Sequence, residues 1–200
     1  MRLNVAIFIF NEVEVLDFAG PFEVFAVTDS LNQNILFNTY TVGEMPGVVY
    51  ARNGLKVVPN HTFESAPTPD IIIIPGGFGT RPLLNRPVII EWIRKQSRAA
   101  LHTVSVCTGS LVLAKAGLLD GLPATTHYLQ LGLLRELAPT AVVHSDRRFL
   151  DNGQLLTSAG ISAGLDVSLH LVARLCGKEV AEKTAAHMEY HWANDGGLAR

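Results

Sequence analysis

Short runs of continuous apolar residues alternate along this chain with longer stretches in which apolar positions recur every three to four residues. Residues 3–10 are apolar at nearly every position, residues 71–74 are four isoleucines, and Val104-Ser105-Val106 repeats the pattern in brief. Runs of this kind, closed by turn residues, predict parallel strands covered on both faces. The three-to-four spacing predicts helices over 21–26, 88–99, 110–116, 129–137, 165–175 and 180–192. Strands alternating with helices predict an α/β fold, a doubly wound, mostly parallel sheet with helices on both faces. Two segments break the rhythm as hairpins, 48–58 with Asn53-Gly54 at its tip and 149–156 turning at Asn152-Gly153. Both are expected to decorate the parallel core. No repeat or long linker interrupts the chain, so one domain is expected over 1–193, followed by a flexible tail over 194–200.

Composition narrows the partners. A chain of 200 residues can bury roughly 70% of its unfolded surface. The net charge is −2, and the pair Arg147-Arg148 reads as a solvated strand edge, so no nucleic-acid partner is expected. No apolar stretch approaches the ~20 residues of a membrane span, and the N-terminus runs into a strand without a secretory pattern. The expectation is a cytoplasmic protein without membrane contact. The two cysteines are expected to be reduced, Cys176 as a small buried hydrophobe near a helix end.

Cys107 carries the chemical signal. An apolar strand ends at this thiol, and Thr108-Gly109-Ser110 then opens a helical pattern, the layout of a nucleophile elbow. Small residues flank the thiol two positions away on each side, Ser105 in place of the usual glycine and Gly109. A helix N-terminus behind the sulfur is expected to favour a thiolate. Ligands of an open parallel sheet bind beyond the carboxyl ends of its strands. Two further loops at those ends carry candidate groups. One holds Asp17 between apolar neighbours, an acid or base in a buried setting, with capping of a helix near Gly20-Pro21 as the alternative. The other is Pro75-Gly76-Gly77-Phe78-Gly79, where Gly76 and Gly77 can bring backbone N–H groups close to a ligand. Gly77 and Thr108 are the expected oxyanion donors. The glycine loop lacks the Lys-Ser/Thr of a phosphate-binding loop, so phosphate binding is not expected. His127 is a candidate polar contact at the rim or a partly buried histidine, and Phe78, Tyr128 and Ile161 are candidate pocket walls. His187 and His191 lie one helical turn apart, but Met188 stands where a zinc-binding H-E-x-x-H motif needs Glu, and no metal is expected. The small residues within 158–164 suit close packing of the helix that follows against the sheet, with a pocket wall as the second reading.

Taken in order, the segments Leu16-Asp17-Phe18-Ala19-Gly20-Pro21, Ile74-Pro75-Gly76-Gly77-Phe78-Gly79, Val106-Cys107-Thr108-Gly109-Ser110, Ala124-Thr125-Thr126-His127 and Ser158-Ala159-Gly160-Ile161-Ser162-Ala163-Gly164 resemble the ThiJ/PfpI superfamily, relatives of the class I glutamine amidotransferases. The resemblance implies a flavodoxin-like sheet, a homodimer, and a nucleophilic cysteine paired with an acid, here Cys107 and Asp17. Within the superfamily the chain is most similar to the isonitrile hydratase branch, whose Asp and Cys-Thr pair match Asp17, Cys107 and Thr108. This implies addition of the thiol to an isonitrile, a thioimidate on Cys107, and release of an N-formamide, with Asp17 carrying the proton and without metal or organic cofactor. Protease-like members carry His after the cysteine, where this chain has Thr108, and AraC-type regulators with the same domain need roughly 100 further residues for their helix-turn-helix units. The alternatives are a glyoxalase-like thiol enzyme assisted by His127 and a non-enzymatic sensor of oxidants or small ligands.

Overall fold

The structure, a computed structural model, describes residues 2–192. The expected tail over 194–200 lies outside them. From the N-terminus, β1 (Leu3–Phe8) leads into α1 (Val15–Leu31) and β2 (Phe37–Gly43). A small hairpin of β3 (Val49–Tyr50) and β4 (Lys56–Val57) precedes β5 (His61–Thr62) and β6 (Ile71–Ile74). Next come α2 (Thr80–Leu83), α3 (Pro87–Ala99), β7 (His102–Ser105) and α4 (Gly109–Lys115). The chain closes with β8 (Pro123–Ala124), α5 (Leu131–Leu137), β9 (Val142–Val143), β10 (Phe149–Asp151), β11 (Leu155–Ser158), α6 (Ala163–Cys176) and α7 (Lys178–His187).

Seven strands form the central sheet in the order β10-β11-β7-β6-β1-β2-β5, every pair parallel except β10 with β11. Helices α1, α6 and α7 pack on one another along one face, while α3, α4 and α5 cover the other, as the strand-helix alternation predicts. The isoleucines of β6 are fully buried at the centre, as a strand covered on both sides requires. In α3, Pro87 occupies the first turn, where its missing N–H has no partner to lose, and Ile89, Ile90 and Ile93 form the buried face.

Four readings of the sequence are corrected. The hairpin at 149–156 is more than decoration, because β11 pairs with β7 inside the main sheet and only β10 is a peripheral antiparallel strand. The hairpin with Asn53-Gly54 does lie outside that sheet, and both tip residues take positive φ. Strand β2 escapes the apolar-run criterion because Asn38, Thr39 and Thr41 are interleaved with its buried residues. Helix α1 begins six residues before Pro21 and runs through it, so Asp17 belongs to its first turn instead of a loop, and makes no capping bond. Arg148, finally, is no solvated edge residue: its guanidinium Nε donates to Asp166 at 2.6 Å, and that carboxylate is 1% exposed. Cys176 is half-buried at the end of α6, and neither cysteine forms a disulfide.

Candidate active site

The adjacency of four strands determines what can meet. Strands β11, β7, β6 and β1 are consecutive neighbours and all parallel, so the segments leaving their carboxyl ends converge on one patch. Those segments carry Ile161, Cys107, Gly76 and Asp17, in that order across the sheet.

Cys107 sits in the turn between β7 and α4 with φ +56°, the left-handed conformation of a strained elbow. The turn is pinned from both sides. Cys107 N–H donates to the carbonyls of Ser158 (3.2 Å) and Ala159 (3.1 Å), and its carbonyl accepts the Thr126 hydroxyl at 2.9 Å. Gly109 permits the sharp entry into α4, because a Cβ there would stand 1.9 Å from the Ile74 carbonyl oxygen. Ser105, which replaces the usual elbow glycine, is the fully buried last residue of β7.

Asp17 is fully buried against this turn. Gly76 N–H donates to its Oδ2 at 2.9 Å, while Oδ1 makes no conventional hydrogen bond. The Cys107 thiol lies against the carboxyl as a weak donor. Burial, reinforced by the nearby Glu14 charge and opposed by the Gly76 N–H, pushes the Asp17 carboxyl up to about 7. Burial and the facing Asp17 carboxylate push the thiol up to about 12, against backbone N–H groups of Thr108 and Ile161 that favour the ionised sulfur. The expected thiolate is therefore corrected. Desolvation and a buried acid outweigh the short helix behind the sulfur, so the resting pair is a thiol beside a carboxyl poised near neutrality.

The expected oxyanion pair is also revised. Gly77 N–H is taken up by the Thr108 hydroxyl at 2.9 Å, and Thr80 donates to the same hydroxyl oxygen at 3.2 Å. The N–H groups aimed at the sulfur come from Thr108 and Ile161. Gly76 is a glycine for want of room: a Cβ there would lie 2.5 Å from Thr108 N and 2.8 Å from Asp17 Oδ2. Thr108 is 3% exposed, so its hydroxyl serves the loop while its N–H serves the sulfur.

A cavity of about 180 Å³ opens over Cys107 and Thr108 and is lined also by Gly77, Phe78, His127 and Ile161. Phe78 is 58% exposed at the mouth, with the guanidinium groups of Arg52 and Arg81 at 4.0 Å and 5.3 Å from its ring centre. His127 Nδ1 accepts the Leu129 N–H at 3.3 Å, and the ring packs over Gly160, where a Cβ would lie 2.3 Å from His127 Cδ2. The structure thus brings Asp17, Gly76, Gly77, Phe78, Cys107, Thr108, His127 and Ile161 together. Tyr128 lines the adjoining cavity instead. Sequence reasoning missed Glu14, Arg81, Leu129 and Gln130 on the cavity wall. It also missed the polar role of Ile161, a β-branched residue held at φ +51° with its N–H toward the sulfur. Only Arg81 had a usable signal, since it follows the glycine loop by two residues. Among the described residues, no three His, Cys, Asp or Glu side chains cluster as metal ligands, and no helix is long and apolar enough to cross a membrane.

The sequence profile of the DJ-1/PfpI family matches residues 3–174. The chain is 37% identical over 190 residues to isonitrile hydratase of Pseudomonas putida, spanning 95% of this chain and 79% of the relative. It is 29% identical over 178 residues to the HTH-type transcriptional regulator GbdR of Pseudomonas aeruginosa, covering 89% of this chain but only 48% of the regulator. Among solved structures, a ThiJ/PfpI family protein from Pseudomonas syringae superposes with a TM-score of 0.85 at 28% identity, over 95% of this chain and 76% of that one. Drosophila melanogaster DJ-1beta, at 18% identity and a TM-score of 0.83, shares the fold over 96% of this chain and 100% of its own. This chain belongs to the DJ-1/PfpI family.

Proposed function

We propose that the protein is a cysteine-dependent isonitrile hydratase, converting an isonitrile and water to an N-substituted formamide. The observation that carries the proposal is the pairing of fully buried Asp17 with the Cys107 thiol, itself 6% exposed at the floor of the cavity. The likeness to isonitrile hydratase of Pseudomonas putida supports the choice of substrate.

An isonitrile is neutral, and its terminal carbon must gain both a nucleophile and a proton. A pair that holds one proton between sulfur and carboxylate supplies both without placing net new charge in a dry cavity. As the sulfur attacks, the Asp17 carboxylate takes the thiol proton and passes it to the same carbon. The C–S and C–H bonds form, one C–N π bond is lost, and a thioimidate remains on Cys107. Water then adds to the thioimidate carbon, the nitrogen gains a proton, and the C–S bond breaks to return the thiol and the formamide. The N–H groups of Thr108 and Ile161 favour negative charge on the sulfur as it leaves and attacks. Thr108 spends its hydroxyl on the Gly77 loop, which keeps Gly76 N–H on the acid.

The test is a substrate screen read by product mass. Wild-type protein is expected to give the formamide, Cys107→Ala to lose turnover by at least about a thousandfold, and Asp17→Asn to be severely impaired. Formamide production that survives the loss of the thiol overturns the mechanism. The likeness to an HTH-type transcriptional regulator supports a second reading, a non-catalytic sensor. That reading is favoured if small ligands bind the cavity while no isonitrile or 2-oxoaldehyde is consumed.

A further inference from the structure

A second cavity of about 220 Å³ abuts the one over Cys107, and His127 and Ile161 line both. The two differ in where their polar groups sit. The thiol cavity sets Phe78, Leu129 and Ile161 beside Glu14, Arg81 and Gln130, whereas the second adds Thr125, Thr126, Ser145, Ser162 and Arg148 to Tyr128, Leu131 and Ile161. Most of these polar groups have fixed orientations. Thr125 donates to the His144 carbonyl at 2.9 Å, and Thr126 to the Cys107 carbonyl at 2.9 Å. Arg148 donates through Nε to Asp166 at 2.6 Å and through Nη2 to Ser162 at 3.1 Å. Asp166 is held in turn by the Tyr190 hydroxyl at 2.9 Å. The guanidinium is locked in place by Asp166 and Ser162 with the Tyr190 hydroxyl also beside it, its charge is already balanced, and among the described residues its fixed hydrogen bonds run through Nε and Nη2 and none through Nη1. Ser145 lies at the rim with its hydroxyl likewise uncommitted among them.

We propose that this second cavity is the subsite for the nitrogen substituent of the substrate, and that it selects isonitriles carrying a neutral hydrogen-bond acceptor, such as an ester or amide carbonyl. The inference rests on the isonitrile reading of the Cys107 site. With the carbon end of the substrate at the sulfur, the substituent extends past His127 and Ile161 toward Arg148 and Ser145. The cavity presents donors without net charge, since Asp166 neutralises Arg148, so a carbonyl oxygen gains hydrogen bonds there whereas a free carboxylate gains no unpaired cation. A purely alkyl chain leaves those donors unmatched and is disfavoured for the reason that polar sites reject apolar analogues.

The experiment compares kcat/KM for ethyl isocyanoacetate, hexyl isonitrile and isocyanoacetate, in wild type, Arg148→Lys and Ser145→Ala. The ester is expected to exceed the alkyl compound by about tenfold in wild type, one well-formed hydrogen bond's discrimination. Either variant is expected to reduce that preference to about twofold, whatever its effect on the absolute rates. Arg148→Lys keeps a cation for Asp166, and Ser145→Ala touches an exposed position, so folding survives in at least one. Equal or better use of the alkyl compound, an ester preference that persists in both variants, or a carboxylate preferred over the ester would each overturn the inference. If no isonitrile is consumed, titration of Cys107→Ala protein with N-formylglycine ethyl ester separates the two ideas. Saturable binding weakened by Arg148→Lys retains the subsite without the chemistry, and no binding removes both.

Discussion

Replacing Asp17 with asparagine is expected to stabilise the protein at neutral pH while removing its proposed chemistry. The carboxyl is fully buried, and its pKa stands at about 7 against 3.8 for an ordinary aspartate. A folded state that holds its proton more tightly than the unfolded chain is favoured at low pH and loses stability as pH rises from about 4 through about 7. With about three pKa units at 1.36 kcal/mol each, the wild type gives up about 4 kcal/mol across that window, of which about 3 kcal/mol falls between pH 5 and pH 8. Asparagine is nearly isosteric, its Oδ1 can accept the Gly76 N–H in place of the carboxylate, and it does not titrate. Groups remote from Asp17 cancel in the comparison. Urea unfolding of wild type and Asp17→Asn at pH 5 and pH 8 should therefore show the variant's advantage growing by about 3 kcal/mol, or roughly 10 °C in Tm for a chain of this length. An advantage constant within about 0.5 kcal/mol across this range would mean that Asp17 ionises like an exposed aspartate and has no elevated affinity for a proton.

Three further outcomes follow from the same geometry. The rate of formamide formation should rise with pH through about 7 and then level, because the proposed step starts from a thiol and an ionised Asp17; initial rates from pH 5.5 to 9 test this, and a rate that falls through 7 would show that the acid form is needed. Gly109→Ala would drive a Cβ to within 1.9 Å of the Ile74 carbonyl oxygen, so it should cost about 3 kcal/mol or more in denaturant unfolding, and an unchanged midpoint would mean that the elbow yields readily. Tyr190→Phe removes a donor from buried Asp166 and should destabilise by about 1–3 kcal/mol, read as a lower Tm, whereas an unchanged Tm would show that Arg148 alone satisfies that carboxylate.

Elements whose physics is local can be read directly along the chain. Four consecutive isoleucines can only be solvated at great cost, so they dictate a strand covered on both faces. Cys107 between an apolar strand and small helix-opening residues announced its turn, and the ordered segments from Leu16 to Gly164 announced the family. Strand β2 was illegible because its polar residues blur the apolar run, and α1 because a proline at its seventh residue masks a helix whose packing against α6 and α7 sustains it. Which loops become neighbours, and hence the state of the sulfur, is set by the folded topology. Its proton affinity depends on burial, on a carboxyl 90 residues away in the chain and on N–H groups from Thr108 and Ile161, and none of these through-space effects leaves a mark in the local pattern. The same holds for Gly77, whose N–H looked free in the sequence and is occupied by Thr108 in the fold. Hydrophobic periodicity records which face each element buries, whereas protonation and donor availability are settled by desolvation and by partners that only folding brings together.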